Sequence, residues 1–158
     1  MKKAVAIGAV LIVSWFLLIF ILSEFREDLP ALRDHVQIAE KTYSTLDKVK
    51  YHYPSYGGFW VALYVSDMSE SEEIKDDFQA FLSSDVFLSE FLATPEIEKS
   101  KETSSGLMPY RPDIYLTCTL SGEMEEQWRS TAMYYTQPYR SDEVMEVDGY
   151  QTWYDDIT

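Results

Sequence analysis

The side chains that most often perform acid–base, nucleophilic or metal chemistry are scarce in this chain. Its only histidines are His35 and His52, and its only cysteine is Cys118. The two histidines are not at a spacing that places both on one face of a helix as metal ligands. The sequence contains no G-x-S-x-G, H-E-x-x-H, G-x-G-x-x-G or phosphate-loop pattern. We therefore expect no metal site and no cofactor.

Carboxylates are abundant, and adjacent acidic pairs are the remaining candidates for chemistry. The pairs are Glu72-Glu73, Asp76-Asp77, Glu125-Glu126 and Asp155-Asp156. Two carboxylates can act as the couple of a glycoside hydrolase or as calcium ligands. Adjacent residues of a helix point in different directions, however, and no pair lies in a D-x-D-x-D-G loop. The sequence predicts a solvated acidic surface and a protein that is not an enzyme.

Cys118 lies in an alternating apolar run, from Ile114 to Leu120, that predicts a strand. Its position in the alternation places it on the inward face of that strand. A single cysteine cannot form a disulfide within the chain. The sequence therefore predicts a buried structural thiol and not a nucleophile.

Aromatic residues are the second notable group. Twelve tyrosines and three tryptophans lie outside the apolar N-terminal run. Tyrosine and tryptophan bury a large area and keep a polar tip, so they are common in cores, interfaces and ligand pockets. All three roles remain open here: core packing, a partner interface, or a pocket for an apolar or sugar-like ligand. The candidate pocket residues are Tyr134, Tyr135, Tyr150 and Trp153.

The first structural element is a membrane anchor. Residues Ala4–Leu22 are nineteen consecutive positions without a charged side chain, and at about 1.5 Å per residue such a helix spans a bilayer. Lys2 and Lys3 precede the run, so the N-terminus is expected to be cytoplasmic. We predict a cytoplasmic stub at 1–3, an anchor at 4–22 in the inner (plasma) membrane, and a periplasmic or extracellular C-terminal domain. A cleaved signal peptide is the alternative.

A second helical pattern follows, and residues 23–50 are predicted to form a juxtamembrane helix or stalk. Its apolar residues are spaced 3-4-3-4-3, and they are Leu29, Leu32, Val36, Ala39, Tyr43 and Leu46. This spacing predicts a helix over 30–48 that begins at a tolerated proline. The apolar side either packs on its own domain or pairs with another chain as a homo- or heterodimer. The partner-binding residues would then be Leu32, Val36, Ala39, Tyr43 and Leu46.

Residues 51–158 are predicted to form one extracytoplasmic α+β domain. Apolar runs predict strands at 59–66, 113–120, 128–136 and 143–154, with a hairpin turn at Asp148-Gly149. The first run is apolar enough to be buried on both faces. A capping box of Ser69 and Glu72 starts a helix, and a break with a second cap at Ser83-Ser84-Asp85 precedes another helix at 86–93. This order predicts a mainly antiparallel, curved sheet with one or two helices, either ferredoxin-like or a partly open barrel.

Charge limits the classes of partner. Residues 51–158 carry six basic and 21 acidic residues, a net charge of −15, which disfavours nucleic acid. In plan alone, the chain resembles small single-pass inner-membrane proteins of bacterial secretion, pilus-assembly and co-receptor systems. We expect an accessory protein that binds and stabilises or regulates another membrane or periplasmic protein. The alternatives are a periplasmic small-ligand module and an immunity-type inhibitor of a basic exported toxin.

Overall fold

The computed structural model describes residues 29–52, 58–95, 97, 111–136 and 146–156. Three helices and five strands lie within these residues. The helices are α1 (Pro30–Thr42), α2 (Ser71–Leu82) and α3 (Asp85–Leu92). The strands are β1 (Leu46–His52), β2 (Phe59–Val65), β3 (Ile114–Leu120), β4 (Glu126–Ala132) and β5 (Trp153–Asp156).

The predicted membrane anchor at 4–22 and the stub before it lie outside the described residues. Of the helices that are described, none combines the length and the apolar composition that a bilayer crossing requires. The longest of the three, α1, has 13 residues.

One five-stranded sheet organises the domain, and its strands lie side by side in chain order from β1 to β5. The pairs β1–β2, β3–β4 and β4–β5 are antiparallel, whereas β2 and β3 are parallel. A parallel pair needs a crossover connection, and α2 and α3 lie in that connection. The predicted α+β class is confirmed. The ferredoxin-like option is wrong, because that fold has the order β-α-β-β-α-β. Among the described strands the sheet is open, with β1 and β5 as its edges.

The core lies between one face of the sheet and the helices. In β2 burial alternates: Phe59, Val61, Leu63 and Val65 are buried, and the residues between them are half-buried. The inward side chains pack with apolar residues of all three helices, among them Leu32, Ile74, Phe78, Phe87 and Phe91. The strand is therefore covered on one face and not on both as its apolar sequence predicted.

Cys118 lies on the inward face of β3, opposite Leu63 of β2. Its side chain is fully buried, and burial raises the pKa of its thiol to about 11. The thiol therefore stays protonated at neutral pH and lacks the thiolate that a nucleophile needs. The predicted buried cysteine is confirmed.

α1 packs on the sheet of its own domain. Its buried residues, Leu32, Val36 and Ala39, belong to the same core as β2 and β3. At its first turn, the backbone N–H of Ala31 donates to Glu90 Oε2 of α3 at 2.9 Å. This contact satisfies one of the N–H groups that have no partner inside a helix. Of the two arrangements open from the sequence, the structure therefore has the one in which the helix packs on its own domain.

The helix is shorter than the sequence pattern predicted. It ends at Thr42 and not near residue 48, and Leu46 is the first residue of β1. The backbone is already extended at Tyr43. Thr45 is then fixed by Glu70 Oε2, which accepts hydrogen bonds from its N–H and its hydroxyl, both at 2.9 Å. The predicted boundary between stalk and domain consequently falls inside β1.

The described part of the crossover contains two short helices with different starts. The predicted capping box is absent, because Ser69 donates to Asp67 and α2 begins only after Glu70. The start of α3 is capped as predicted: Ser84 Oγ accepts the N–H of Phe87 at 3.4 Å.

The C-terminal segment departs most from the sequence prediction. It pairs antiparallel with the β4 region at two places, through a bridge between Tyr135 and Val147 and through β5. The intervening residues, 148–152, leave the regular ladder, although the N–H groups of residues 148–150 still donate to the carbonyls of Tyr134 and Met133. Asp148 accepts the backbone N–H groups of the residues three and four positions later, both at 2.9 Å. The Asp-Gly turn therefore forms an irregular bulge inside one strand pairing and is not the tip of a hairpin.

The bulge directs Tyr150 into the core. Tyr150 has a φ of 65°, a left-handed conformation that is rare for a residue with a side chain. Its hydroxyl donates to the Pro112 carbonyl at 2.9 Å, and its own carbonyl accepts the Ser83 hydroxyl at 2.8 Å. These contacts offset a conformational cost of roughly 1 kcal/mol. They also fix the C-terminal segment to the crossover and to the start of β3.

Candidate functional site on the outer face of the sheet

The outer face of the sheet, opposite the helices, collects side chains that are suited to binding. Because successive residues of a strand point to opposite faces, every strand contributes to it. We name five of its residues the aromatic–cationic face. They form two groups of contacts: Trp60, Tyr115 and Arg129 in one, and Lys50 and Tyr64 in the other. The described helices all pack on the other side.

Trp60 and Tyr115 form the centre of this face. They occupy paired positions of β2 and β3, and their rings stack with centroids 4.4 Å apart and planes 20° apart. The guanidinium carbon of Arg129 lies 5.0 Å from the Trp60 ring centroid. Nearer the β1 edge, Lys50 Nζ lies 5.2 Å from the centroid of Tyr64. A cation–π contact at an exposed site contributes about 0.5–1 kcal/mol, so the rings and cations form a preformed surface.

Gly58 makes room for the Tyr115 ring. A Cβ atom at position 58 would lie 2.3 Å from Tyr115 Cε2 and 2.7 Å from the carbonyl oxygen of Asp113. The same carbonyl accepts the N–H of Phe59 at 2.7 Å, so the backbone cannot easily move away. The Tyr115 hydroxyl in turn donates to Asp113 Oδ2 at 3.3 Å. Burial raises the pKa of Asp113, and this hydrogen bond partly opposes the shift.

Arg129 reaches across β3 to contact Trp60. Its neighbour in register on β3 is Thr117, which is only 3% exposed. Glu126 Oε2 orients the guanidinium by accepting from Nε at 3.0 Å and from Nη2 at 2.7 Å. A guanidinium held through two N–H groups has a defined plane, so the cation over Trp60 is positioned and not freely rotating.

Charge is unevenly divided between the two sides of the sheet. Residues 66–92, which include α2 and α3, carry eight acidic residues and one lysine, a net charge of −7. The strands β1 to β4 instead carry three cations, Lys48, Lys50 and Arg129, and two anions, Asp47 and Glu126, a net charge of +1. The sheet therefore lacks the acidic excess of the helices.

The structure brings together three of the four predicted pocket residues. The Tyr134 ring centroid lies 4.8 Å from that of Tyr135 and 5.4 Å from that of Tyr150. Tyr150 is fully buried, so its ring fills the core. Trp153 lies on β5 and donates from Nε1 to Ser83 Oγ at 2.9 Å. These residues pack the C-terminal segment against the domain, and their role as a ligand pocket stays a prediction.

The five residues predicted to bind a partner helix are part of the domain's own packing. Four of them, Leu32, Val36, Ala39 and Leu46, are in the core, and Tyr43 packs against it half-buried. The large apolar residue that α1 presents to solvent is Ile38, which is 63% exposed. Binding through the predicted residues would require α1 to leave the domain.

His35 lies between α1 and α2. Its ring stacks on Phe81 with centroids 4.0 Å apart and meets Phe78 edge-on at 5.0 Å. Its Nε2 is 3.3 Å from Asp77 Oδ2, yet it makes no well-directed hydrogen bond to the described residues. The distance alone would favour an ion pair, but burial lowers the pKa of His35 and Asp77 opposes this only in part. We infer a neutral imidazole that acts in packing.

No family model, curated protein or solved structure matches this chain. Within the described ranges, no three His, Cys, Asp or Glu side chains converge into a possible metal site.

The aromatic–cationic face is not evident from the sequence because its residues come from four strands. Lys50 and Arg129 are 79 positions apart. The one local signal is the alternation of Tyr115, Thr117 and Thr119 with core residues in β3. Only the register of β2 and β3 shows that Trp60 lies beside Tyr115.

Proposed function

We propose that this chain is a membrane-anchored interaction protein whose domain binds another membrane or periplasmic protein through the aromatic–cationic face. The observation that supports this most directly is the preformed contact of Trp60, Tyr115 and Arg129 on the outer face. Tryptophan, tyrosine and arginine are the residues most enriched at the energetic centres of protein interfaces. The uncharged run Ala4–Leu22 supports the membrane location.

The location of the binding surface differs from the sequence expectation. The apolar side of α1 is required by the core, so it is not available to a partner while the domain is folded. The outer face needs no such rearrangement, because Trp60 and Tyr115 are half-buried and already stacked. A preformed surface loses less conformational entropy on binding, and this favours the outer face over α1.

Site-specific photo-crosslinking in native membranes tests this proposal. A photoreactive phenylalanine analogue replaces Tyr64 on the outer face of the full-length chain, and in a matched variant it replaces the exposed Ala80 of α2. We expect a single adduct of defined mass from position 64 and none from position 80. Trp60→Ala in the position-64 variant should remove most of the adduct, because a central aromatic residue at an interface typically contributes about 2 kcal/mol or more.

The other outcomes discriminate between functions. Equal adducts from both positions, or no adduct from position 64, would contradict the proposal. An adduct from position 80 alone would favour the acidic helices as the binding surface, as expected for an inhibitor of a basic exported protein. That adduct should then weaken steeply as salt is added, because exposed charges are screened.

A further inference from the structure

We infer that β1 is a strand-addition site that takes an extended, acidic segment of a partner protein. The inference rests on the proposed function and deepens it. It specifies which backbone of this domain the partner pairs with and which side chains the partner brings.

β1 is the longer of the two edges of the sheet. Among the described strands its only neighbour is β2, and it has seven residues, whereas the opposite edge strand, β5, has four. An edge strand presents N–H and C=O groups that can pair with another extended chain. β1 is also continuous with the aromatic–cationic face through Lys50.

A side chain of α1 occupies the hydrogen-bonding position that an added strand would use. Glu40 Oε1 accepts the backbone N–H of Val49 at 3.3 Å in an exposed contact. The N–H of Val49 therefore points away from β2, and in an antiparallel ladder the residue two positions later, Tyr51, has the same orientation. The contact with Glu40 is long and solvated, so the carbonyl oxygen of an incoming strand can replace this carboxylate oxygen.

The charges beside this edge determine the chemistry of the partner. Lys48, Lys50 and His52 occupy alternate, exposed positions on the outer side of β1, and the one carboxylate of this strand, Asp47, already accepts the Ser121 hydroxyl. Residues of an added antiparallel strand would lie directly opposite them, where opposite charges stabilise pairing and like charges destabilise it. A second copy of β1 would place lysines near lysines. An extended segment with carboxylates at alternate positions is therefore the favoured occupant, and a second copy of this chain is disfavoured.

A synthetic peptide tests the inference. The probe is a fluorescent, end-capped eight-residue peptide of alternating threonine and glutamate, added to the full chain in an uncharged detergent. We expect saturable binding and slower hydrogen exchange in residues 46–52, because pairing protects the amides of Val49 and Tyr51. A peptide that alternates threonine and lysine should not bind.

Variants identify the surface. Lys50→Glu should weaken binding of the acidic peptide at least about fivefold, since it replaces a favourable cross-strand pair with a repulsive one. Lys41→Glu makes the same charge change on an exposed position of α1 and should leave the Kd unchanged. Glu40→Gln should strengthen binding, because it removes a competing and repelling carboxylate. Equal melting temperatures of the three variants would show that folding is unaffected.

Three results would overturn the inference: no binding of the acidic peptide, equal weakening by Lys50→Glu and Lys41→Glu, or binding without protection of residues 46–52. The last result would indicate charge attraction without strand pairing. If the acidic peptide does not bind but the position-64 variant still gives its adduct, strand addition at β1 is rejected and the proposed function is retained. Absence of the adduct would reject the proposed function by an independent readout.

Discussion

The two faces of the sheet are made by the same strands, yet they differ in chemistry and in what they can do. The centre of the inner face, in β2 and β3, is mainly aliphatic and is almost completely excluded from water by the helices, which contribute most of the buried phenylalanines. The outer face holds tryptophan and tyrosine rings in contact with each other or with cations. The period-two alternation of the strands thus separates residues that stabilise the fold from residues that are free to bind. A change on the inner face should affect folding, and one on the outer face should affect binding.

The largest expected effect comes from a carboxylate placed on the buried side of α1, compared with one placed on its exposed side. Val36→Asp buries an unpaired charge in the core and should lower the free energy of unfolding by at least about 3 kcal/mol. Ile38→Asp, at a position that is 63% exposed, should change it by no more than about 0.5 kcal/mol. Chemical denaturation of the full chain in detergent measures both. An intact fold in Val36→Asp with loss of the partner would instead favour a stalk that pairs with another helix.

The next test asks whether the missing side chain of Gly58 allows the Tyr115 ring to stack on Trp60. Gly58→Ala places a methyl group against the Tyr115 ring and the Asp113 carbonyl, which should cost about 1–3 kcal/mol. Displacement of Tyr115 should also change the near-ultraviolet circular dichroism of the stacked Trp60. Gly122→Ala is the control, since a Cβ there meets no atom within 4 Å even though its φ is positive. If Gly122→Ala changes the aromatic signal as much, the Trp60–Tyr115 stack does not depend on Gly58.

A smaller effect is expected where the C-terminal segment joins the core. Tyr150→Phe removes the hydrogen bond to the Pro112 carbonyl and should cost about 1 kcal/mol. Tyr154→Phe makes the same change on a side chain that is 45% exposed and should have little effect on the unfolding free energy. Similar values for both variants would mean that the buried hydroxyl is not a significant anchor of the bulge.

The smallest expected effect is the contribution of His35 to the pH dependence of stability. Because burial lowers its pKa below 6.5 in the folded domain, the unfolded chain binds this proton more readily. The stabilisation is therefore present above pH 6.5 and is lost as the pH falls from there through the lowered pKa. Melting temperatures at pH 7.5 and 5.5 should differ more in the natural chain than in His35→Phe. A natural chain that becomes more stable on acidification, with His35→Phe removing that gain, would show that the Asp77 ion pair outweighs burial.

Much of the architecture could be predicted because it depends on local patterns. The apolar spacing of α1, the serine cap of α3 and the inward position of Cys118 are all properties of short segments. The α+β class follows from the order of those segments. Where prediction was wrong, a distant contact decided the outcome. Glu70 holds Thr45 and so contributes to ending the α1 pattern early, and pairing with Tyr135 turns an apparent hairpin tip into a bulge.

The kinds of elements, the abundance of acidic and aromatic residues, and the predicted membrane anchor at 4–22 all follow from the order of the amino acids. The grouping of residues on one surface follows instead from the fold, because it depends on the register between strands far apart in the chain. The parallel pairing of β2 and β3 places Trp60 beside Tyr115, and the pairing of β3 and β4 brings Arg129 within reach of Trp60. Packing of the helices on one side leaves the cations of β1 and β4 together on the other. A surface assembled from four strands has no contiguous signature, and for that reason the candidate site could not be read from the sequence.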